Sequence, residues 1–273
     1  MVSVDEAHTG TPDAAGAPGR RRRRWIVLVA IVAVGVVVLA AFVAGRNPAP
    51  GPPPASLGTA FDRAVPASVR SLPLVDQHGD STTLDAFHGH VVLVAPMLTS
   101  CQEVCPITTG VLLQLHHALA AAGLSPRVTT LEISVDPGRD TPARLAAYAH
   151  VTGAAWPLLT GSPATLDALW RYFGVVAQVV PEDTPPGIDW QTGRPYTYDV
   201  NHSDGFFLLD PGGHERFSTG GMPHVTGVLP PALAHMLNTL GRKNLASPGL
   251  GAWNAADARG ALGWLVGRGI PAG

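Results

Sequence analysis

Five consecutive arginines, Arg20–Arg24, end where a run of nineteen residues without a charge or a strongly polar group begins, Trp25–Val43. No other feature constrains the chain so tightly, because it decides on which side of a membrane the rest folds. At ~1.5 Å per residue, a helix over this run matches the ~30 Å hydrocarbon core of a bilayer. The arginines place its N-terminal end in the cytoplasm and everything after Val43 outside. A cleaved signal peptide is the competing reading, but its apolar region usually runs only ~7–15 residues, and no clear small-x-small cleavage site follows here. No cysteine lies near residue 44, so a lipoprotein anchor is excluded. The expected layout has a disordered, basic cytoplasmic tail over 1–24 and a single-pass transmembrane anchor over 25–44. A Pro-rich linker follows over 45–65, its NPAPGPPP stretch (Asn47–Pro54) semi-rigid and extended. The folded domain is then extracytoplasmic and tethered to the cell membrane.

Charge divides at the same place. Six of the 18 basic residues precede residue 47, and beyond it acids outnumber bases 17 to 12. Such a domain repels a phosphate backbone, which argues against a nucleic-acid partner. The chain has only 2 cysteines, too few for a disulfide-built scaffold, so their placement carries the information.

From Pro66 the punctuation is regular. Leu72–Val75 and Ser81–Leu84 flank Gln77–Asp80 as a hairpin with Gly79 in its turn. His90–Ala95 is a continuous apolar, β-branched run, the mark of a strand buried on both faces. Helical spacing follows over Ile107–Ala122, with Gly123 as its stop. Arg127–Val135 is a second buried strand. Thr141-Pro142 starts a helix that runs on through Arg144–Val151, and Ser162-Pro163 starts another through Phe173. Val175–Val180, Tyr196–Val200, Gly205–Leu209 and His214–Phe217 are further strands, with the turn Asp210–Gly213 before the last. Pro230–Leu240 is a final amphipathic helix. Residues 243–273 form a tail with room for a short helix, Ala255–Val266. This order is α/β, and it fits a thioredoxin-like central sheet flanked by helices over residues 66–242, preceded by the N-terminal transmembrane helix.

Cys101 and Cys105 stand in a C-x-x-x-C motif between a buried strand and the start of a helix. A helix N-terminus favours thiolate, and i, i+4 spacing puts two sulfurs on one side of a turn, close enough for one metal or one disulfide. Pro106 fits the first helical turn, where its missing N–H costs nothing. A structural disulfide is the plainer reading of the pair. A soft metal would want a third ligand from among the 11 histidines. His116 and His117 sit mid-helix, His78, His88, His90 and His214 lie in or beside turns, and His8 is in the basic tail. His202 differs, since it follows a β-type run within Asp199–Ser203 and precedes another strand. Two thiolates and an imidazole suit Cu(I) and accommodate Cu(II), whereas zinc usually takes a fourth protein ligand. Met97 is expected to pack beneath the cysteine loop, and Met222 and His224 to lie in a flexible loop rather than form an accessory soft site. Asp136 and Asp140 are expected to cap and brace the loop before Pro142.

Taken in order, LVDQHGDSTTLDAFHGHVVLV (Leu74–Val94), TSCQEVCP (Thr99–Pro106), ISVDPGRDTP (Ile133–Pro142), LTGSPATL (Leu159–Leu166) and YDVNHSDGFFLLDPGG (Tyr198–Gly213) resemble the Sco/SenC family of membrane-anchored copper chaperones. The resemblance covers about residues 66–242. It implies a thioredoxin-like fold, copper as Cu(I) or Cu(II), and Cys101, Cys105 and His202 as its ligands. It also implies delivery to the binuclear copper site of cytochrome c oxidase subunit II, with other copper chaperones or thiol reductants as further partners. The alternative function is a thiol-disulfide oxidoreductase using Cys101 and Cys105 on cysteines of the same target, and a third is a thiol peroxidase. The C-x-x-x-C spacing departs from the C-x-x-C of thioredoxin and favours metal binding over turnover. Three positions depart from the family pattern. Asn201 replaces an acidic residue before the histidine, Pro96, Met97 and Leu98 replace aromatics before the first cysteine, and Glu103 replaces an aspartate.

Overall fold

The computed structural model describes residues 31–32, 34–35, 51–249 and 251–273, and the chain divides into two units at Asn47. In the first unit Ile31, Val32, Val34 and Gly35 are helical. The expected basic tail over 1–24 and the rest of the expected anchor over 25–44 lie outside the described residues. Among the described residues, no helix is long and apolar enough to cross a membrane.

The second unit begins with β1 (Thr59–Ala64), a strand inside the stretch expected to be linker. Only Phe61 of its six residues is even partly buried, so no apolar alternation marks it in the sequence. A single helical turn, α1 (Ala67–Arg70), leads to the expected hairpin of β2 (Leu74–Asp76) and β3 (Ser81–Thr82). Gly79 takes φ +87° in its turn, and Asp76 accepts the His78 and Asp80 N–H groups. Strand and helix then alternate through β4 (Val91–Met97), α2 (Cys105–Ala121), β5 (Val128–Ser134), α3 (Pro142–Thr152), β6 (Leu158–Gly161) and α4 (Pro163–Phe173). The helix starts are those the sequence announces: the Thr141 and Ser162 side chains accept the Arg144 and Thr165 N–H groups, each just before a proline. β7 (Ala177–Val180) and β8 (Asp199–His202) make a separate antiparallel ribbon, and β9 (Gly205–Leu209) pairs with β10 (His214–Gly220). The chain ends in α5 (Pro231–Met236), α6 (Thr239–Ala246) and α7 (Ala255–Val266).

The main sheet runs β1-β10-β9-β4-β5-β6-β2-β3. β4, β5 and β6 are mutually parallel and the remaining pairs antiparallel. Every residue of β4 is buried because both of its faces are covered. Val91, Leu93, Ala95 and Met97 pack into one layer with Leu112 and Leu115 of α2, Leu233 of α5 and Leu262 of α7. Val92 and Val94 pack into the other with Leu166, Leu169 and Trp170 of α4. Each such leucine, fully buried, stabilises the fold by about 1.5–3 kcal/mol. The helix that follows β4 therefore starts from a fixed point, which is what a site at its N-terminus needs.

Two C-terminal expectations change. The single helix expected over Pro230–Leu240 is two, because Leu237 and Asn238 are extended and the Asn238 side chain caps α6 by accepting the Gly241 N–H. The boundary expected at residue 242 falls inside α6, and the tail beyond it belongs to the core. Trp253 is fully buried, meets Phe206 edge-on at 4.9 Å and donates from Nε1 to the Gly221 carbonyl. Ala258, Ala261 and Leu262 of α7 are buried as well, and Arg268 donates to the Ala122 carbonyl at the end of α2.

Candidate metal centre

β4 delivers the chain to the cysteine loop, and the loop is held from beneath by buried polar groups. Thr99, two residues before Cys101, donates from its backbone N–H and its hydroxyl to the Asp140 carboxylate, which also accepts the Ser134 hydroxyl. Arg144 of α3 donates to the Thr99 hydroxyl oxygen and forms an ion pair with Asp189 at 2.9 Å. Trp190 donates from Nε1 to the Thr99 carbonyl at 2.7 Å. The expectation for Asp140 is thereby corrected: its carboxylate braces the cysteine loop across the sheet end. Asp136 pairs with Arg139 within its own loop and also accepts from the Tyr198 hydroxyl. Burial pushes Asp140 up to about 6, against the donors that favour its charged form.

Cys105 is the first residue of α2, with Pro106 in its first turn. No side-chain oxygen caps this helix. The Cys101 sulfur does so instead, accepting the Val104 and Cys105 N–H groups at 3.4 Å each. The two thiols are electrically unequal. A hydrogen bond from Cys105, followed by His202, holds Cys101 well below the ordinary thiol range, against the cost of its burial. Burial, and then the charge on Cys101, pushes Cys105 well above it. Cys101 is thus the more readily ionised of the two.

The imidazole arrives from the ribbon. In β8 alternation turns Val200 and His202 inward and leaves Asn201 exposed, opposite Gln178 of β7. The His202 side chain is 5% exposed, with Nε2 3.4 Å from Cys105 Sγ and Nδ1 3.0 Å from the Ser203 carbonyl oxygen. Burial alone would lower its pKa; the Cys101 thiolate, the Asp204 carboxylate and the Ser203 carbonyl outweigh burial and raise it to about 9. Asp204 Oδ1 lies 3.8 Å from Nδ1, so the acidic neighbour comes from two residues after the histidine, where the resemblance puts it just before. Burial raises Asp204 itself to about 6. Gly205, at φ +142°, allows the turn into β9, since a Cβ there would lie 2.0 Å from the Thr219 carbonyl.

The ligand atoms of Cys101, Cys105 and His202 all lie within 4.8 Å of one another, and among the described residues no other group of three or more such ligands converges. Cys101 and His202 line a cleft of about 870 Å³, together with Glu182–Ile188, Asn238–Leu240 and Lys243, while Cys105 lies buried behind them. Met97 points into the α2-side core layer. Met222 and His224 are pinned by backbone bonds to Trp253, so that loop is fastened where a flexible one was expected. His116 packs against Trp156 with the rings tilted and their centroids 5.7 Å apart. Thr99, Asp140, Arg144, Trp190 and Asp204 were not singled out as site residues in the sequence. Thr99, Asp140 and Asp204 do fall inside the quoted motifs, the one signal that points to them.

Fold and site together define a thioredoxin-like domain that carries two thiols and an imidazole at the start of the helix after its central strand. The SCO1/SenC family model matches residues 64–220, more than half of the chain. The chain belongs to that family. It is similar to the mitochondrial protein SCO2 homolog of Bos taurus, 31% identical over 140 residues, 51% of this chain and 49% of that protein. It is similar also to the SCO1 protein homolog of Bacillus subtilis, 27% identical over 144 residues, 50% of this chain and 66% of that one. The chain thus spans about half the length of the bovine relative. Among solved structures, Bradyrhizobium japonicum ScoI with copper bound is 25% identical with a TM-score of 0.45, covering 68% of this chain and 98% of that one.

Proposed function

We propose that this chain is a membrane-anchored, extracytoplasmic metallochaperone that carries copper on Cys101, Cys105 and His202 to the binuclear copper site of cytochrome c oxidase subunit II. The observation that carries the reading is the convergence of two sulfurs and one imidazole within 4.8 Å at a cleft. The donor set fits the cargo: soft thiolates select Cu(I), and the added nitrogen accommodates Cu(II). No fourth protein ligand of the kind zinc prefers joins the group among the described residues. With Nδ1 committed to Ser203, the proton that the ring yields to a metal is the one on Nε2, the nitrogen facing Cys105. Cys101 and His202 line the cleft, the side from which an acceptor's own ligands can reach a metal held there. Membership of the family supports the oxidase as target, and the apolar run behind Arg20–Arg24 supports the anchor.

His202→Ala tests the reading. The variant keeps two thiols, so Cu(I) binding, measured by competition with a chromogenic chelator, should stay within about tenfold of wild type. Cu(II) binding, read from the thiolate-to-copper absorption band, should fall by about a hundredfold or more. Oxidase assembly should fail in cells carrying the variant. Normal assembly with His202→Ala, alongside failure with Cys101→Ser, overturns the copper-donor reading and favours the thiol-disulfide oxidoreductase.

A further inference from the structure

We propose that the C-terminal segment Asn238–Asn244 is a clasp that sets the spacing of the two thiols, with Asn238 and Gly241 as positioning residues. The segment lies beyond the part of the chain that the family model matches. Its contacts fall on Gln102 and Glu103, between the cysteines. The Asn238 N–H donates to the Gln102 carbonyl at 2.9 Å, and its side-chain amide donates to Glu103 Oε1 at 3.3 Å. The same side chain's oxygen accepts the Gly241 N–H at 2.8 Å, so one residue caps α6 and ties the cap to the loop. The Asn244 amide reaches the Glu103 carbonyl at 3.5 Å. Gly241 is buried against the loop: a Cβ there would stand 2.2 Å from the Gln102 carbonyl oxygen and 3.1 Å from Glu103 Cα. Glycine is costly inside a helix, by roughly 1 kcal/mol against alanine, and this close approach is the reason for it here.

The clasp has a chemical consequence. A disulfide needs its sulfurs at ~2.05 Å, and both cysteines are free here. Any backbone adjustment that brings the sulfurs together falls on Gln102 and Glu103, and both are tied to α6. The clasp therefore holds the dithiol open at metal-binding spacing and resists its closure.

The test is the equilibrium of the full chain with reduced and oxidised dithiothreitol, in which one disulfide forms as another breaks. Gly241→Ala should shift this equilibrium toward the Cys101–Cys105 disulfide about tenfold, ~30 mV for a two-electron couple. Asn238→Asp keeps the cap but turns an acceptor toward Glu103, and should shift the equilibrium the same way by about threefold. Gly260→Ala in α7, where an added Cβ meets nothing within 4 Å, is the matched control and should behave as wild type. In both clasp variants the Cu(II)–thiolate band should move in wavelength or intensity. An unchanged equilibrium in both folded clasp variants, a shift toward the dithiol, or an equal shift in Gly260→Ala overturns the proposal. If Gly241→Ala does not fold, Asn238→Asp decides. The inference rests on the reading of the thiols as copper ligands only for its spectral arm. Retention of copper by Cys101→Ser would remove that reading and leave the exchange equilibrium as the measure of the clasp.

Discussion

The two halves of the metal centre are built differently. The thiol half grows out of the middle of the eight-stranded sheet, with Thr99 held by Asp140, Arg144 and Trp190. The imidazole half sits on a two-stranded ribbon whose outer strand leaves Val179 66% exposed. One half is fixed by the core. The other is a short ribbon at its edge, placed by the return of the chain into β9. The difference teaches where stability and adjustability reside: sulfur positions are inherited from the fold, whereas the histidine approaches them on an element that carries little of the core.

Substitutions along this divide should fall in a steep order. Asp140→Ala leaves the Thr99 N–H, the Thr99 hydroxyl and the Ser134 hydroxyl without their buried acceptor. It should cost about 3 kcal/mol, measured by denaturant unfolding at pH 7. A cost below about 1 kcal/mol would mean that the core does not fix the thiol half.

Glu132 probes the same side through pH. It is fully buried in β5, accepting from Thr109 of α2 and from Trp156 Nε1 at 2.9 Å each, and burial raises it to about 7. An acid whose pKa is higher in the folded state holds its extra proton there. Its contribution is therefore full below the usual carboxylate range and is lost as pH rises through about 7. The loss is on the order of 3 kcal/mol between pH 4.5 and pH 7. Glu132→Gln keeps the acceptor for Trp156 and removes the titration. Melting of wild type should weaken from pH 5 to pH 8 more steeply than that of the variant, whose remaining slope comes from Asp140, Asp204 and His202. Parallel pH profiles would place the proton elsewhere.

The smallest effect belongs to the ribbon. Val179→Thr on the exposed strand should change stability by no more than about 0.5 kcal/mol. A loss comparable to that of Asp140→Ala would erase the contrast between the halves.

The sequence showed the thiol half because its signals are local. A double-sided apolar strand, a C-x-x-x-C step and a proline in the first turn occupy the continuous stretch Val91–Pro106. His202 could be picked from 11 histidines by its place before a strand and by the resemblance, not by periodicity. The braces at Thr99 were invisible for a physical reason: Asp140, Arg144 and Trp190 reach it from 41, 45 and 91 residues away, and no local pattern encodes such pairing. β1 is illegible in the sequence because an edge strand buries almost nothing. The tail is as hard to read because α7 packs largely through alanines and glycine, Ala258, Ala261 and Gly263 among them, which mark a close helix contact and a flexible tail equally well. The break at Asn238 was hidden because Leu233, Met236 and Leu237 are all buried and continue an apolar rhythm straight through it.

The opening of α2 has one more consequence. A helix start leaves four backbone N–H groups without partners and thereby attracts anions such as phosphate or sulfate. Here none of the four is free. Val104 and Cys105 donate to the Cys101 sulfur, Pro106 has no N–H, and Ile107 donates to the Val104 carbonyl at 2.8 Å. The donors at the positive end of the helix are spent on the Cys101 sulfur and on the Val104 carbonyl. Oxyanions of the surrounding medium therefore find no free backbone donor at this helix start, because the Cys101 side chain already occupies the place where they would bind.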